Sequence, residues 1–288
     1  MQITLPAIAF GGSASVIAVP PAHDAWTRWL RAVALGGQGY YAVAATELHR
    51  MESDNCGRVL RSIAASTRAA HLRQGGRHHR AADHDGAALY IAGQGDLGYA
   101  ETTAAHCDAL TGLAADNLGR GMFGAADILL GRVERILRDR EQVPAGDVTA
   151  WIWGQRLDLR RCWVRAELAM FTSDPVAALE HAAAAQAIAV AGPSQRHRIK
   201  TELIGAAAAA AAGDVGDAAQ RAERVAETAA AARQLPLEWA AAKLLDGIGA
   251  RGTGAGEQWA ARAERVGRVL AERGGSMHQR VNRSMGAG

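Results

Sequence analysis

The most literal chemical motif in the chain is Gly93-Gln94-Gly95-Asp96-Leu97-Gly98, a G-x-G-x-x-G. In a dinucleotide-binding unit such glycines let a strand turn tightly into a helix, so that backbone N–H groups reach a pyrophosphate. Asp116 lies at about the distance downstream expected of a ribose-binding acid. The context is wrong for that chemistry. Residues Ala87 to Ala92 continue the helical period from Ala81, and no pattern of further strands follows. The motif reads as a loop between helical hairpins, with a ligand- or nucleotide-sensing module built on Gly93–Gly98 as the alternative.

A second group is His71, His78, His79 and His84, with Asp83 and Asp85. His79 and Asp83 share a helical face, but His84 lies five residues beyond His79, so the two histidines do not stack as H-x-x-x-H does. A metal site on this patch is the alternative; solvent-facing histidines around a turn are the expected reading, given the demand for a full ligand set. His106, Cys107 and Asp108 are consecutive, so on a helix their side chains fan apart. The three cysteines, Cys56, Cys107 and Cys162, are odd in number and lack C-x-x-C spacing. That excludes a zinc ribbon or a disulfide framework and suits a reducing compartment. No catalytic, cofactor or metal-binding set is assigned.

Charge and aromatic residues offer binding rather than chemistry. The net charge is +3, and nearly every basic residue is arginine. Seven arginines (Arg50, Arg58, Arg61, Arg68, Arg73, Arg77 and Arg80) face only Glu52 and Asp54 over the same span. Such a stripe suits an acidic partner. It lacks the interleaved aromatics that stack on bases, so nucleic acid is not the expected partner. Trp26/Trp29 and Trp151/Trp153/Trp163 are large anchors in a chain otherwise rich in alanine. Core is their default; one of them could anchor a partner, and a homodimer could bury Trp151 and Trp153 between subunits.

The elements that position these residues are helices. Alanine dominates and only seven prolines occur, which favours an all-α chain. The clearest stretch is Thr201–Gly249. Its Ala207–Ala212 run ends at Gly213, Asp214 caps the next helix, and Val215, Ala218, Ala219, Ala222, Val225, Ala226 and Ala229 make one apolar face. Asp217 and Arg221 form an i, i+4 pair on the opposite face. Pro236 opens a third helix. A face built of alanine buries little area alone, so such hairpins must stack closely on both sides. Upstream, Asp24 caps a helix carrying Trp26, Trp29, Leu30 and Val33; further helices are expected from Tyr40 to Met51, Arg58 to Arg73, Ala81 to Ile91, Thr102 to Leu118, Ala125 to Arg138, Trp151 to Phe171, Pro175 to about Val190 and Glu257 to Arg273.

The turns repeat a small pattern, glycine followed five residues later by alanine: Gly39/Ala44, Gly76/Ala81, Gly121/Ala126 and Gly213/Ala218, with Ser173/Ala178 as a variant. Glycine makes the turn, and a small residue is needed where the second helix crosses the first. The turn positions 39, 76, 121, 173 and 213 lie 37, 45, 52 and 40 residues apart, close to the periods of helical-hairpin arrays, about 34 to 47.

In these features the chain resembles the tetratricopeptide-repeat superfamily. The segments Ala64–Leu89 (AASTRAAHLRQGGRHHRAADHDGAAL) and Arg165–Ala189 (RAELAMFTSDPVAALEHAAAAQAIA) look like degenerate copies of its repeat. The period is irregular, and most copies lack the family's closing proline. The resemblance implies a right-handed α-solenoid of about six helix-turn-helix hairpins over residues 24–273, with a groove lined by the first helix of each pair that binds a protein or peptide without enzymatic activity. Degenerate alanine-rich arrays are also similar to the sensor halves of bacterial transcription activators, which suggests a regulatory adaptor. The contact residues expected for the groove and its rim are Trp29, Arg61, Arg68, Arg165 and Lys200. Asn117 lies too near the turn at Gly121 to serve as a carboxylate-clamp residue.

The ends are expected to differ from the array. Residues 1–22 carry no charged side chain, and Pro6 and Gly11-Gly12 interrupt their apolar run. A secretory signal needs a basic n-region, so residues 1–23 are expected to be an irregular or strand-like extension on the first hairpin. Residues 274–288 are basic and apolar-poor, and are expected to be disordered. No run of 18 apolar residues is present to span a membrane, and a cytoplasmic location is expected.

Overall fold

The computed structural model describes residues 4–53, 56–141, 143, 146–249 and 256–275. The linker at 250–255 and nearly all of the expected disordered tail lie outside these residues. Among the described residues every regular element is helical. A short α1 (Leu5–Phe10) precedes the array. Six antiparallel pairs follow: α2 (Ala25–Gly37) with α3 (Tyr41–Ser53), α4 (Arg58–Gln74) with α5 (His78–Ala92), and α6 (Ala100–Gly119) with α7 (Phe123–Asp139). After a short α8 (Val148–Trp153) come α9 (Gln155–Phe171) with α10 (Pro175–Ala191), α11 (Gln195–Ala211) with α12 (Val215–Ala231), and α13 (Leu235–Gly249) with α14 (Gly256–Glu272). The first helix of each pair also packs on the first helix of the next. The chain is therefore an all-α, solenoid-like stack of consecutive hairpins.

The turn pattern is realised residue for residue. Gly39, Gly76, Gly121 and Gly213 have φ of 84°, 73°, 77° and 87°, and Ser173 takes 60°. All five lie in the left-handed region where glycine has no Cβ penalty. The alanines five residues on, Ala44, Ala81, Ala126, Ala178 and Ala218, are each fully buried at the helix crossing. A sixth turn escapes the pattern: Arg233, between α12 and α13, adopts φ 57°, and the residue five beyond it is the buried Glu238, paired at 2.9 Å with Arg262.

Capping follows the expected chemistry. Asp24 and Thr27 form a reciprocal capping box, with Thr27 N–H donating to Asp24 Oδ1 at 2.7 Å. Asp174 and Asp214 accept from Ala177 N–H and Asp217 N–H, each at 3.0 Å. The long helix expected from Trp151 to Phe171 is instead two helices. Gly154 leaves helical space (φ −114°, ψ −106°), while Asp147, at the end of the loop before it, caps α8 as its residue type predicts, accepting N–H bonds from Thr149 and Ala150.

Two features were not expected. Residues 5–10 of the N-terminal extension are helical, and α1 packs on α2, α8 and α11 rather than on the first hairpin alone. The last pair also returns to the first. Tyr41 is buried with Val266 and Leu270, flanked by Leu235 and Trp239. Ala42 N–H donates to Arg273 O at 2.9 Å, Arg273 Nη1 donates to Gln38 O at 3.1 Å, and the Arg273 guanidinium lies 3.9 Å from the Tyr40 ring centre. The stack is thus closed, and the first helices of all six pairs surround a common axis.

Candidate functional site: the axial cavity

Residues 5–16 lie on that axis. Phe10 is buried against Trp29 (5.3 Å between ring centres), His197 (5.9 Å) and Trp151 (6.3 Å). Trp26 and Trp153 complete the aromatic group, Trp29 and Trp153 being stacked at 6.2 Å. Beyond Phe10 the backbone is held by amides from three repeats. Gln38 Nε2 donates to Val16 O at 2.8 Å and Ala14 O at 3.4 Å, Gln234 Nε2 donates to Ala14 O at 3.4 Å, and Gln195 N–H donates to Gly11 O at 3.1 Å.

Below Phe10 a cavity of about 450 Å³ remains. Its walls come from α2, α4, α6, α9, α11 and α13 and combine apolar surface with charge. Arg73 of α4 pairs with Asp85 and, at 2.8 Å, with Asp116. Burial and the neighbouring Asp116 push the Asp85 carboxyl above the usual carboxylate range, against the pull of Arg73. Arg156 and Arg160, one helical turn apart on α9, share Asp108; Arg156 Nη2 donates to Asp108 Oδ2 at 2.6 Å. Burial would raise the Asp108 pKa, but the two guanidiniums hold it below the ordinary value.

Arg196 and Lys200 form a similar i, i+4 pair on α11. Lys200 Nζ lies 4.4 Å from the ring centre of Trp163, and Trp163 is fixed by donating its Nε1–H to Thr201 at 2.9 Å. Burial depresses the Lys200 pKa to about 8; Glu167 pulls it up, while Arg160, Arg196 and Arg73 push it further down. Burial also lowers Arg196. Of the imidazoles at the cavity edge, those of His71 and His197 carry no charge near neutral pH. Burial and the Arg196 and Arg68 cations take His71 down to about 3, and burial with the surrounding cations lowers His197 well below its ordinary value. His197 Nδ1 lies 2.8 Å from the hydroxyl of Ser194, the cap of α11.

The expected contact residues divide. Trp29 and Lys200 both line the axial cavity. Arg68 lines a small neighbouring pocket with Tyr41, His71 and Gly274. Arg61 is exposed on α4. Arg165 faces α7, paired with Glu134 at 2.8 Å and with Asp127 at 2.5 Å. The arginine stripe does not act as one surface, because Arg73 turns inward to Asp85 and Asp116. Trp151 and Trp153 are buried within one chain, so the homodimer that would bury them has no surface to use.

The other motifs also dissolve. The segment before Gly93 is helix α5, and all three motif glycines donate their N–H to their own chain: Gly93 to Leu89 O (2.8 Å), Gly95 to Ala92 O (2.9 Å) and Gly98 to Asp96 Oδ1 (2.9 Å). None is aimed outward as a phosphate cradle requires. Asp116, the would-be ribose acid, is held by Arg73. The loop borders an open cleft of about 890 Å³ that includes Tyr90, His106, Arg132 and Arg135. Cys107 is buried and its thiol is pushed up to about 12, first by burial and then by Asp108. Among the described residues no group of three or more His, Cys, Asp or Glu side chains is placed to hold a metal ion. No helix among them is long and apolar enough to cross a membrane.

Sequence reasoning picked out Lys200 but missed Arg156, Arg160 and Arg196. The available signal was two basic pairs at i, i+4 beside tryptophans, with Asp108 and Asp116 interrupting the apolar run of α6. No model of a known protein family matches the chain, and no curated protein matches its sequence.

Proposed function

We propose that this chain is a non-enzymatic peptide-binding module, a scaffold or regulatory adaptor of the tetratricopeptide-like kind, whose ligand lies along the axis of the stacked hairpins. One observation carries this reading: the chain's own residues 5–16 already lie there. Gln38, Gln195 and Gln234 hold that segment through its backbone carbonyls, while aromatic side chains enclose Phe10. Contacts to carbonyls read the path of a backbone, here a short helix running into a turn, rather than one particular side chain. A partner segment with an aromatic residue at the place of Phe10 would satisfy the same donors.

The test uses the full chain with Phe10→Asp, which weakens the hold on the resident segment, and a fluorescent peptide of residues 4–16. Saturable binding in anisotropy is expected, competed by unlabelled peptide, not by a scrambled one, and weakened by Gln234→Leu. Absence of saturable binding to the folded variant rejects the reading.

A further inference from the structure

Five cationic side chains line or border the axial cavity: Arg73, Arg156, Arg160, Arg196 and Lys200. Three have dedicated carboxylates, Asp85 and Asp116 for Arg73, and Asp108 for Arg156 and Arg160. Arg196 and Lys200 have none. Among the described residues no hydrogen bond or ion pair joins either to an acceptor; Glu167 shares the cavity and acts on Lys200 only at longer electrostatic range. Arg196 and Lys200 are half-buried in the cavity wall, where even partial removal of a cation from water is costly unless a partner replaces the lost hydration. The fold nonetheless brings these two together, within electrostatic reach of Arg160. The Arg196 stem passes close over Gly37: a methyl there would lie 3.3 Å from its Cδ and Nε and would push it aside.

Trp163 lies beneath Lys200, and Trp239, Leu203, Leu237 and Phe171 supply further apolar wall. The volume, about 450 Å³, falls in the range of pockets that enclose small organic molecules, about 300–1,000 Å³. We infer that the axial cavity is a binding site for a small organic anion, one carboxylate or phosphate monoester on a flat apolar body, with the acid group between Arg196 and Lys200 and the body against Trp239, Leu203 and Leu237. The guanidinium offers paired N–H donors to such a group, and the ammonium a point charge. This site is separate from the backbone donors around residues 11–16 and does not depend on the peptide reading.

The test is calorimetry and thermal shift on the full chain with phenyl phosphate and indole-3-acetate as probes. Indole is the neutral match and inorganic phosphate the bare ion. At least one organic acid is expected to titrate at one site per chain and raise Tm, while indole does not. Arg196→Met and Lys200→Met should each weaken binding at least about tenfold, Arg196→Lys should retain much of it, and Arg224→Met, on an exposed pair of α12, should change nothing. If neither acid binds at about 10 mM, the proposal is overturned, because a ligand that binds the folded state must stabilise it. It is equally overturned if inorganic phosphate binds as tightly as phenyl phosphate, or if both methionine variants keep wild-type affinity.

Discussion

Replacing Phe10 with alanine tests whether the N-terminal segment belongs to the core. Phe10 is 4% exposed, and removing its ring forfeits about 2–3 kcal/mol of burial. Two ring contacts, to Trp29 at 5.3 Å and His197 at 5.9 Å, add about 0.5–1.5 kcal/mol each. The hole would open into the axial cavity, which admits water, so the usual cavity penalty is partly relieved. The expected loss is about 3–4 kcal/mol, the lower part of the range for Phe→Ala. Urea denaturation followed by tryptophan fluorescence reads it. With a slope of about 3 kcal/mol/M, the midpoint falls by about 1 M. Amide exchange across residues 5–16 should rise as well, since the ring holds those residues on the axis. A midpoint shift below about 0.3 M with unchanged exchange at these amides would refute the assignment of Phe10 as a core anchor.

Asp108→Asn leaves Arg156 and Arg160 without their shared anion and should cost about 3–5 kcal/mol at pH 7, read as a lowered Tm. Because the wild-type carboxyl has a depressed pKa, its contribution is present above the unfolded value, about 3.9, and is lost as pH falls through the folded value, so the gap between variant and wild type should narrow in acid. Lys200→Met should act oppositely. The folded pKa, about 8, lies below the unfolded one, so the wild type gains relative stability as pH rises from 8 towards 10; the variant should be more stable by about 1–2 kcal/mol at pH 7 and lose that advantage above pH 10. An advantage that does not change with pH would show that the Lys200 charge is not the cause. Gly37→Ala should lower Tm, because the methyl would lie 2.8 Å from Gln234 Oε1. Gly124→Ala on α7, with open space around it, should be stabilised by about 0.5–1 kcal/mol.

The hairpins were legible because their signals are local. A glycine that must take positive φ, an aspartate that caps and an alanine at the crossing each sit within a few residues of what they control. Ser173 was found by the same spacing, even without glycine. Arg233 was not, because its backbone conformation is imposed by the packing around α12 and α13 rather than by its residue type. The axial site was largely illegible for a related reason. Arg73 meets Asp116, and Arg156 meets Asp108, across 43 and 48 residues, and no local period announces such partners. Lys200 and Trp29 were picked out from the first helices that line a groove, and both do line it. Arg61 and Arg165 sit on first helices too, but on faces turned away from the axis. The position of α1 was hidden because a six-residue apolar helix has no amphipathic period to read.

The contact of Tyr41 and Ala42 with Leu270 and Arg273 makes the array a hoop rather than a rod. A rod of repeats unravels from its ends and tolerates the gain or loss of a unit. A hoop has no free end, and its circumference fixes the bore. Deleting the α13/α14 pair would therefore loosen α2 and α3, five repeats away in sequence but adjacent in space. Inserting an extra pair would spring the clasp and spread the walls that Arg196 and Lys200 share with Trp29. Repeat number, usually free to drift in such proteins, is here a dimension of the binding site.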